Sequence, residues 1–327
     1  MRKTYFIVGG AGFIGSHLTR LILANEKNAR VIVYDNFSSG RMWHLSEVLK
    51  HKNLKIVRAD VKNKSLLTRS MKGTDIVYHL ASNPDIAKAI SDPEIDFREG
   101  TWLTNNVLEA MRLNGVETLF YASGSGVYGD VGSRRMTEDH SPMLPISTYG
   151  ASKLACEAQI CSYGHLFGIS AACFRFANVV GPRQTHGVVY DFIRKLLRNP
   201  RELKILGDGG QSKSYVHIDD ILGAMRLVQR KMKKGFHVLN VANSDFISVR
   251  QIARIVVRIM GLQKTKLSYD GGKRGWKGDV PVVRLDSSRI RKWGWKHRYS
   301  SKEAILSSAR SLHADARLGR FDGRGTP

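Results

Sequence analysis

The sequence predicts an α/β protein in which a doubly wound parallel sheet is followed by a smaller C-terminal α/β unit. Apolar runs rich in β-branched residues alternate with longer segments of helical periodicity, and a glycine-rich turn follows the first run. This alternation fades after about residue 178, where glycines and shorter segments dominate. Strands that alternate with helices form parallel βαβ units, with helices on both faces of the sheet.

The predicted strands are short, and the helices between them are longer. Short apolar runs predict strands at residues 5–8, 31–34, 56–57, 76–80, 118–122 and 170–176. Helical spacing of apolar residues predicts helices at residues 14–25, 102–114 and 149–167. We expect a first domain at 1–178 with a returning segment near 215–232, a second domain at 179–312, and a disordered polar tail at 313–327.

The composition excludes several classes of protein. No apolar run approaches the roughly 20 residues that span a bilayer. Cys156, Cys161 and Cys173 have no CxxC spacing, so we expect neither a disulfide framework nor a metal site, and a cytoplasmic location. The net charge of +24 is spread along the chain without a nucleic-acid-binding motif. We therefore expect no nucleic-acid partner and a solvated basic surface that attracts anionic substrates.

Three glycines, Gly9, Gly12 and Gly15, lie between the first predicted strand and the first predicted helix. A turn of this kind brings main-chain N–H groups close to a pyrophosphate, and a Cβ atom would obstruct the approach. Asp35 ends the next strand, 20 residues after Gly15. Its carboxylate can accept hydrogen bonds from a ribose 2′-hydroxyl and would repel a 2′-phosphate. The pattern predicts a Rossmann-type site for NAD rather than NADP, with Asp60 able to bind the adenine amine.

Tyr149 and Lys153 are four residues apart, so they face the same side of a helix. An ammonium group beside a phenol favours the phenolate, which makes the phenol a usable acid or base. The same lysine can hydrogen-bond a nicotinamide ribose. A bare YxxxK pattern is frequent by chance, but its place after a nucleotide-binding half indicates a catalytic pair.

The remaining motifs keep a regular order along the chain. They are GGAGFIGSHL at 9–18, DNFSSG at 35–40, HLA at 79–81, VYG at 127–129, YGASK at 149–153, RFAN at 175–178, VGPR at 180–183, YVHID at 215–219 and GDV at 278–280. In order and spacing they resemble the extended short-chain dehydrogenase/reductase family. The pattern is most similar to its NAD-dependent epimerases and dehydratases, the UDP-glucose (UDP-galactose) 4-epimerases in particular.

The resemblance implies an activity and a set of site residues. It implies a nucleotide-sugar 4-epimerase, in which Tyr149 takes the proton of the sugar 4-hydroxyl while C4 gives a hydride to NAD. Further cofactor contacts are implied for Phe13, Ile14, Asn36, Ser38, Ser39, Gly40, Val61, Leu80, Ala81, Ser82 and Phe176. Substrate contacts are implied for Asn83, Ser125, Tyr149, Asn178, Val188, Val189, Lys213, Arg274 and Asp279. A homodimer is implied, through a four-helix contact made by the helices at 102–114 and 149–167.

One position departs from the family pattern. The Ser or Thr that relays the proton in the family falls on Gly124, which has no hydroxyl. Ser123 and Ser125 flank it and are the candidate catalytic substitutes, and a water molecule is the other possibility. On a strand both serines point opposite to residue 124, although a bulge or kink near the strand end can redirect one of them.

Two alternative functions also fit the sequence. The first is a nucleotide-sugar dehydratase or oxidoreductase of the same family. Related dehydratases and decarboxylases carry acidic residues where this chain has Ser125 and Gly126, and this difference disfavours the dehydratase hypothesis. The second is a catalytically weak NAD-binding scaffold, motivated by Gly124. The Tyr149–Lys153 pair argues against it, because a pure binder needs no activated phenol.

Overall fold

The computed structural model describes residues 2–321. Its first part contains β1 (Thr4–Val8), α1 (Phe13–Asn25), β2 (Arg30–Asp35), β3 (Leu54–Arg58), α2 (Lys64–Ser70), β4 (Ile76–His79), α3 (Trp102–Asn114), β5 (Thr118–Gly124), α4 (Thr148–Phe167) and β6 (Ser170–Phe176). Single-turn helices occur at Met42–Leu45, Ile86–Ile90 and Ser125–Tyr128, and a π-helical turn at Phe97–Thr101.

The second part contains shorter strands between its helices. They are β7 (Asn178–Val180), α5 (Val188–Arg198), β8 (Glu202–Ile205), β9 (Ser212–Lys213), β10 (Tyr215–His217), α6 (Ile218–Lys231), β11 (Phe236–Val241), β12 (Ile247–Ser248), α7 (Val249–Ile259), β13 (Lys266–Tyr269), α8 (Ser288–Lys292) and α9 (Ser301–Arg317). Three two-stranded pairs, β10–β7, β12–β9 and β13–β8, lie outside the main sheet.

The main sheet has seven strands in the order β11-β6-β5-β4-β1-β2-β3, and each neighbouring pair is parallel. The predicted fold class, a doubly wound parallel sheet, is confirmed. The strand order reverses between β1 and β4. In open α/β sheets of this kind, ligands bind outside the carboxyl ends of the strands at that reversal.

Alternate residues of β1 enter different cores, because successive side chains of a strand point to opposite faces. Tyr5 and Ile7 join a core that includes side chains of α1 and α6. Phe6 and Val8 join a second core that includes side chains of α2, α3 and α4. Helices therefore cover both faces of the sheet. A third core is built mainly from α5, α7, α9 and β8 and supports the smaller C-terminal part.

Two sequence-based boundaries differ from the structure. The returning segment extends past 215–232, because β11 pairs with β6 at the edge of the main sheet. The predicted tail is wrong for residues 313–321: α9 continues to Arg317, and Phe321 is buried with its ring stacked on Tyr190 at 4.3 Å between centroids. The rest of the predicted tail, 322–327, lies outside the described residues. None of the helices in the described part of the chain is long and apolar enough to cross a bilayer.

Candidate active site

The glycine-rich turn after β1 is held against the end of β4. Gly9 has a φ of 78°, and a Cβ atom added there would lie 2.8 Å from the main-chain nitrogen of Ala81. Only glycine fits this position without strain. Among the described residues, the first turn of α1 contains no acidic side chain, and no side chain caps its start at Gly12. Its unpaired N–H groups can therefore bind an anion such as a pyrophosphate.

Asp35 lies at the end of β2, beside this turn. Its Oδ2 accepts the N–H of Ala11 and its Oδ1 accepts the N–H of Phe37, both at 2.8 Å. The residue is only 7% exposed, and burial raises the pKa of its carboxyl group above the usual value. The N–H of Gly12 also faces this carboxylate. A carboxylate has about four acceptor positions, so about one remains for a ribose hydroxyl. The arrangement fits a dinucleotide whose ribose carries free hydroxyls.

The adenine side of the predicted site is formed by the ends of β2 and β3. Asn36 Nδ2 donates to Asp60 Oδ2 at 3.0 Å, which ties the two strand ends together. Leu80, Ala81 and Ser82 form the wall at the end of β4 and are partly exposed.

Three other predicted cofactor residues have buried side chains. Phe13, Val61 and Phe176 are 5–7% exposed and belong to the hydrophobic cores. Their side chains pack in the cores, which leaves their main-chain atoms as the groups available to a cofactor. Sequence spacing places a residue near a site, but it does not show which way the side chain turns.

The start of α4 packs directly against the turn that follows β5. Ser147 caps the helix by accepting the N–H of Gly150 at 3.1 Å. A Cβ atom at Gly150 would collide with the carbonyl oxygen of Gly126, so the two backbones touch only because residue 150 is glycine. A Cβ atom at Gly126 would lie 3.9 Å from the Tyr149 ring. The Tyr149 ring therefore lies beside the Ser125–Tyr128 turn.

Lys153 is brought onto the same side of α4 as Tyr149, as predicted. Its Nζ lies 5.4 Å from the centre of the Tyr149 ring and 4.8 Å from that of Tyr121. It donates to the carbonyl oxygen of Ala122 at 2.8 Å, and the residue is only 3% exposed. The ammonium group is thus held between two aromatic rings at the carboxyl end of β5, where cation–π attraction favours it.

The two candidate serines have different surroundings. Ser123 is 4% exposed, and its hydroxyl donates to Glu157 Oε1 at 2.5 Å. Glu157 forms a buried ion pair with Arg175 at 2.7 Å. Ser125 instead begins the partly exposed turn beside Tyr149. Of the two, Ser125 is the more accessible from the cleft side of the turn.

The predicted substrate cations are already paired with acidic residues. Lys213 Nζ contacts Asp279 Oδ1 at 2.6 Å. Arg274 donates to the carbonyl oxygen of Asp279 and to Asp130 Oδ2, each at 2.7 Å. Asn178 lies in β7, opposite Tyr215 of β10. These contacts join Lys213, Asp279, Arg274 and Asp130 into one polar wall, in which each cation faces a carboxylate.

Two substrate predictions made from the sequence do not match the side-chain placement. Asn83 is 5% exposed, and its amide donates to the carbonyl oxygen of Asp85 and to Asp96 Oδ1, both at 2.9 Å. Its Oδ1 accepts the N–H of Asp85, so the side chain is used to shape the loop. Val189 is fully buried in the third core, whereas Val188 is only partly buried. The side chains of Asn83 and Val189 therefore stabilise the walls rather than line the cleft.

The polar residues that support α4 were not predicted from the sequence. Glu157 follows Lys153 by four residues, a spacing that could have marked it as a neighbour. Asp96 accepts hydrogen bonds from Asn83 and from Thr148, and no local pattern identifies it. His79 is fully buried at the end of β4, and burial together with the Lys153 charge lowers the pKa of its ring to about 3.

This doubly wound sheet, with a glycine turn, an acidic end of β2 and a Tyr–Lys pair, defines a class of dinucleotide-binding α/β enzymes. The chain matches the model of the NAD dependent epimerase/dehydratase family over residues 5–242. A putative UDP-glucose 4-epimerase of Methanocaldococcus jannaschii is 31% identical over 305 residues, which cover 91% of this chain and 95% of that protein. The chain therefore belongs to the NAD-dependent epimerase/dehydratase family.

Solved structures agree with this assignment. The crystal structure of a UDP-galactose 4-epimerase is 37% identical and has a TM-score of 0.85, covering 96% of this chain and 99% of that one. A dTDP-glucose 4,6-dehydratase from Streptomyces venezuelae, solved with NAD bound, is 26% identical with a TM-score of 0.88, covering 99% of each chain. NAD is the cofactor of this family, and the glycine turn and Asp35 fit it.

Proposed function

We propose that the protein is a nucleotide-sugar 4-epimerase that acts on UDP-glucose and UDP-galactose or a close analogue. The observation that carries the proposal is the position of Lys153 Nζ, 5.4 Å from the Tyr149 ring at the carboxyl end of β5. This end of the sheet adjoins the dinucleotide turn. The 4-epimerase names of the relatives described above support the choice of substrate class.

The chemistry of the chain's own residues is proton transfer. Tyr149 accepts the proton of the sugar 4-hydroxyl and later returns it, and Lys153 stabilises the phenolate by its positive charge. NAD, when bound, supplies the complementary chemistry by accepting a hydride from C4 of the sugar and giving it back. Inversion at C4 would require the sugar to turn over within the site between the two transfers.

The polar wall around Asp279 is the proposed binding site for the nucleotide diphosphate. Lys213 and Arg274 supply positive charge for the phosphates, and Asn178 supplies an amide. Because Lys213 is paired with Asp279, phosphate binding replaces or shares that ion pair rather than meeting a free cation. Lysine holds phosphate as a point charge, without the two-pronged geometry of arginine.

Ser125 is assigned the hydroxyl that assists Tyr149, and Ser123 the structural role of orienting Glu157. The dehydratase alternative is less well supported. Elimination requires an additional acid near the sugar, and Ser125 and Gly126 stand where the family's dehydratases and decarboxylases carry one. The scaffold alternative does not explain why a buried lysine, Lys153, lies beside Tyr149.

The decisive experiment is incubation of the purified protein with UDP-galactose and no added NAD. We expect conversion to UDP-glucose, because the NAD that the reaction needs stays bound to the protein during purification. A product lighter by one water would indicate the dehydratase. Bound nucleotide without turnover of UDP-glucose, UDP-galactose or their N-acetyl and uronate analogues would indicate the scaffold. Tyr149→Phe should abolish most turnover and retain NAD.

We also propose a homodimer and a cytoplasmic location. Large apolar side chains are exposed on α3 and α4, with Leu113 56% and Leu166 72% exposed. An exposed apolar surface on two adjacent helices favours a four-helix contact between two copies. The three cysteines are free thiols, which is typical of a reducing compartment.

A further inference from the structure

Asp96 is a buried carboxylate at the centre of a group of hydrogen bonds. It is 2% exposed. The Thr148 hydroxyl donates to its Oδ2 at 2.6 Å, and Asn83 Nδ2 donates to its Oδ1 at 2.9 Å. The Ser152 hydroxyl donates to its main-chain oxygen at 2.7 Å. One residue therefore connects the loop after β4, the segment before α3, and the start of α4.

Two of these partners are sequence neighbours of the catalytic pair. Thr148 directly precedes Tyr149, and Ser152 directly precedes Lys153. Being four residues apart, Thr148 and Ser152 share one side of α4. Asp96 thus holds the first two turns of the helix from the side adjacent to Tyr149 and Lys153. Rotation or translation of these turns would move both catalytic groups together.

The π-helical turn at Phe97–Thr101 brings the neighbouring backbone close enough for this contact. A Cβ atom at Gly100 would collide with the Ser152 hydroxyl, so a larger residue there would displace this hydroxyl from its hydrogen bond with Asp96. Thr101 Oγ1 lies 2.9 Å from the Ser152 hydroxyl and completes the group. Single π turns occur often at functional sites, where they redirect a helix locally.

We propose that Asp96 is a positioning residue for the Tyr149–Lys153 pair. Through Thr148 and Ser152 it sets how α4 presents the phenol and the ammonium group to the sugar and the nicotinamide. Asp96 does not itself contact the reacting atoms. Misplacing a catalytic group by about 1 Å can cost on the order of 100-fold in rate, so a hydrogen bond one residue away is catalytically significant. The proposal rests on the proposed epimerase function.

The kinetic test compares Thr148→Val with Thr148→Ser and Thr68→Val. Thr148→Val keeps the side-chain shape and removes the donor, whereas Thr148→Ser keeps the donor. Thr68→Val is a matched control, because it removes a threonine hydroxyl bond of 2.8 Å, to the carbonyl oxygen of Lys64, on the distant helix α2. We expect Thr148→Val to lower kcat by about 10- to 100-fold with KM within about twofold and NAD retained. Thr148→Ser and Thr68→Val should resemble the wild type.

Three kinetic outcomes would overturn the proposal. Unchanged kcat in Thr148→Val would show that the hydroxyl bond does not position the pair. An equal loss in Thr148→Ser would show that the donor is not what matters. Loss of NAD together with a raised KM would indicate a general structural role.

A crystal structure of Thr148→Val provides a second test that does not depend on turnover. We expect the first turns of α4 to shift relative to β5, so that the distance from Lys153 Nζ to the carbonyl oxygen of Ala122 differs from 2.8 Å by about 1 Å or more. An unchanged distance would contradict the positioning role. If the wild-type protein turned over no nucleotide sugar, the proposed function would fail, and this structure would still decide the role of Asp96.

Discussion

Ser123 and Glu157 are joined by a hydrogen bond of 2.5 Å, donated by the serine hydroxyl to the buried carboxylate. Glu157 is at the same time ion-paired with Arg175. Ser123 therefore belongs to a buried polar group beneath the active site, although it lies only two residues from Ser125. This hydrogen bond distinguishes the surroundings of Ser123 from those of Ser125, although the two serines look equivalent in the sequence.

The first prediction distinguishes these two serines. Ser125→Ala should lower kcat by about 10-fold or more, because it removes the hydroxyl that assists Tyr149. Ser123→Ala should leave kcat within about twofold, because Glu157 keeps its ion pair with Arg175. Steady-state kinetics with UDP-galactose on both variants gives the answer. A loss of kcat in Ser123→Ala alone would assign the hydroxyl that assists Tyr149 to Ser123. If neither variant lost activity, a water molecule would be the group that assists Tyr149.

The second prediction restores the missing hydroxyl at Gly124. The residue has an extended backbone with φ of −160°, and a Cβ atom there would have no contact within 4 Å among the described residues, its two chain neighbours aside. A serine should therefore fit without strain. We expect Gly124→Ser to raise kcat by about 10-fold, since a general acid–base partner contributes 10²–10⁴-fold and Ser125 already supplies part of it. Gly124→Ala, which adds the Cβ without the hydroxyl, is the control and should not be faster than the wild type.

The third prediction concerns the buried ion pair. Arg175 and Glu157 have side chains that are 3% and 5% exposed. Glu157→Gln leaves a buried guanidinium without its counter-charge, which should lower the free energy of unfolding by about 3–5 kcal/mol. Urea unfolding measures this loss. As a comparison, Glu94→Gln at the exposed Arg98–Glu94 pair should cost far less, because solvent screens both charges. Similar losses in the two variants would show that burial does not govern the effect.

The fourth prediction is loss of stability in mild acid. Burial lowers the pKa of His17 from 6.5 to about 4 and that of His79 from 6.5 to about 3. Below pH 6.5 the unfolded chain binds protons that the folded rings do not, so stability falls as the pH falls. Each ring should cost about 2 kcal/mol between pH 7.5 and 5.

Urea unfolding at the two pH values checks this sign and size. His17→Gln should make the pH dependence shallower by about 2 kcal/mol, because one buried titrating ring is removed. His165→Gln, at an exposed position near the end of α4, is the control and should change little. A His17→Gln variant with the wild-type pH dependence would refute the assignment.

The fifth prediction tests the proposed dimer. Leu166→Glu places a charge on the exposed apolar surface of α4 and should convert the dimer to a monomer. Light scattering coupled to gel filtration measures the change in mass. Leu318→Glu, at a residue that is 64% exposed beyond the end of α9, should remain dimeric. A wild-type protein that is monomeric at micromolar concentration would contradict the dimer directly.

Local sequence patterns predict most of the strands and helices that surround the candidate site. The apolar runs predicted strands that form the main sheet, and the helices predicted at 14–25, 102–114 and 149–167 match α1, α3 and α4 within one residue. Gly9 and Asp35 were identifiable because a strand, a tight turn and a helix occur within a short stretch of chain. The strand β11 was missed because it joins the sheet only by pairing with β6, where Phe236 lies opposite Ala171, and no local pattern connects these distant segments.

By itself the sequence determined the doubly wound fold, the NAD-type turn and the pairing of Tyr149 with Lys153. These features depend on residues close together in the chain, whose spacing decides which side of a strand or helix they face. Only the tertiary structure decided that Ser123 is buried against Glu157, 34 residues away, and that Asp96 holds Thr148, 52 residues away. Such contacts form when distant segments pack together, and no local periodicity records which segments meet.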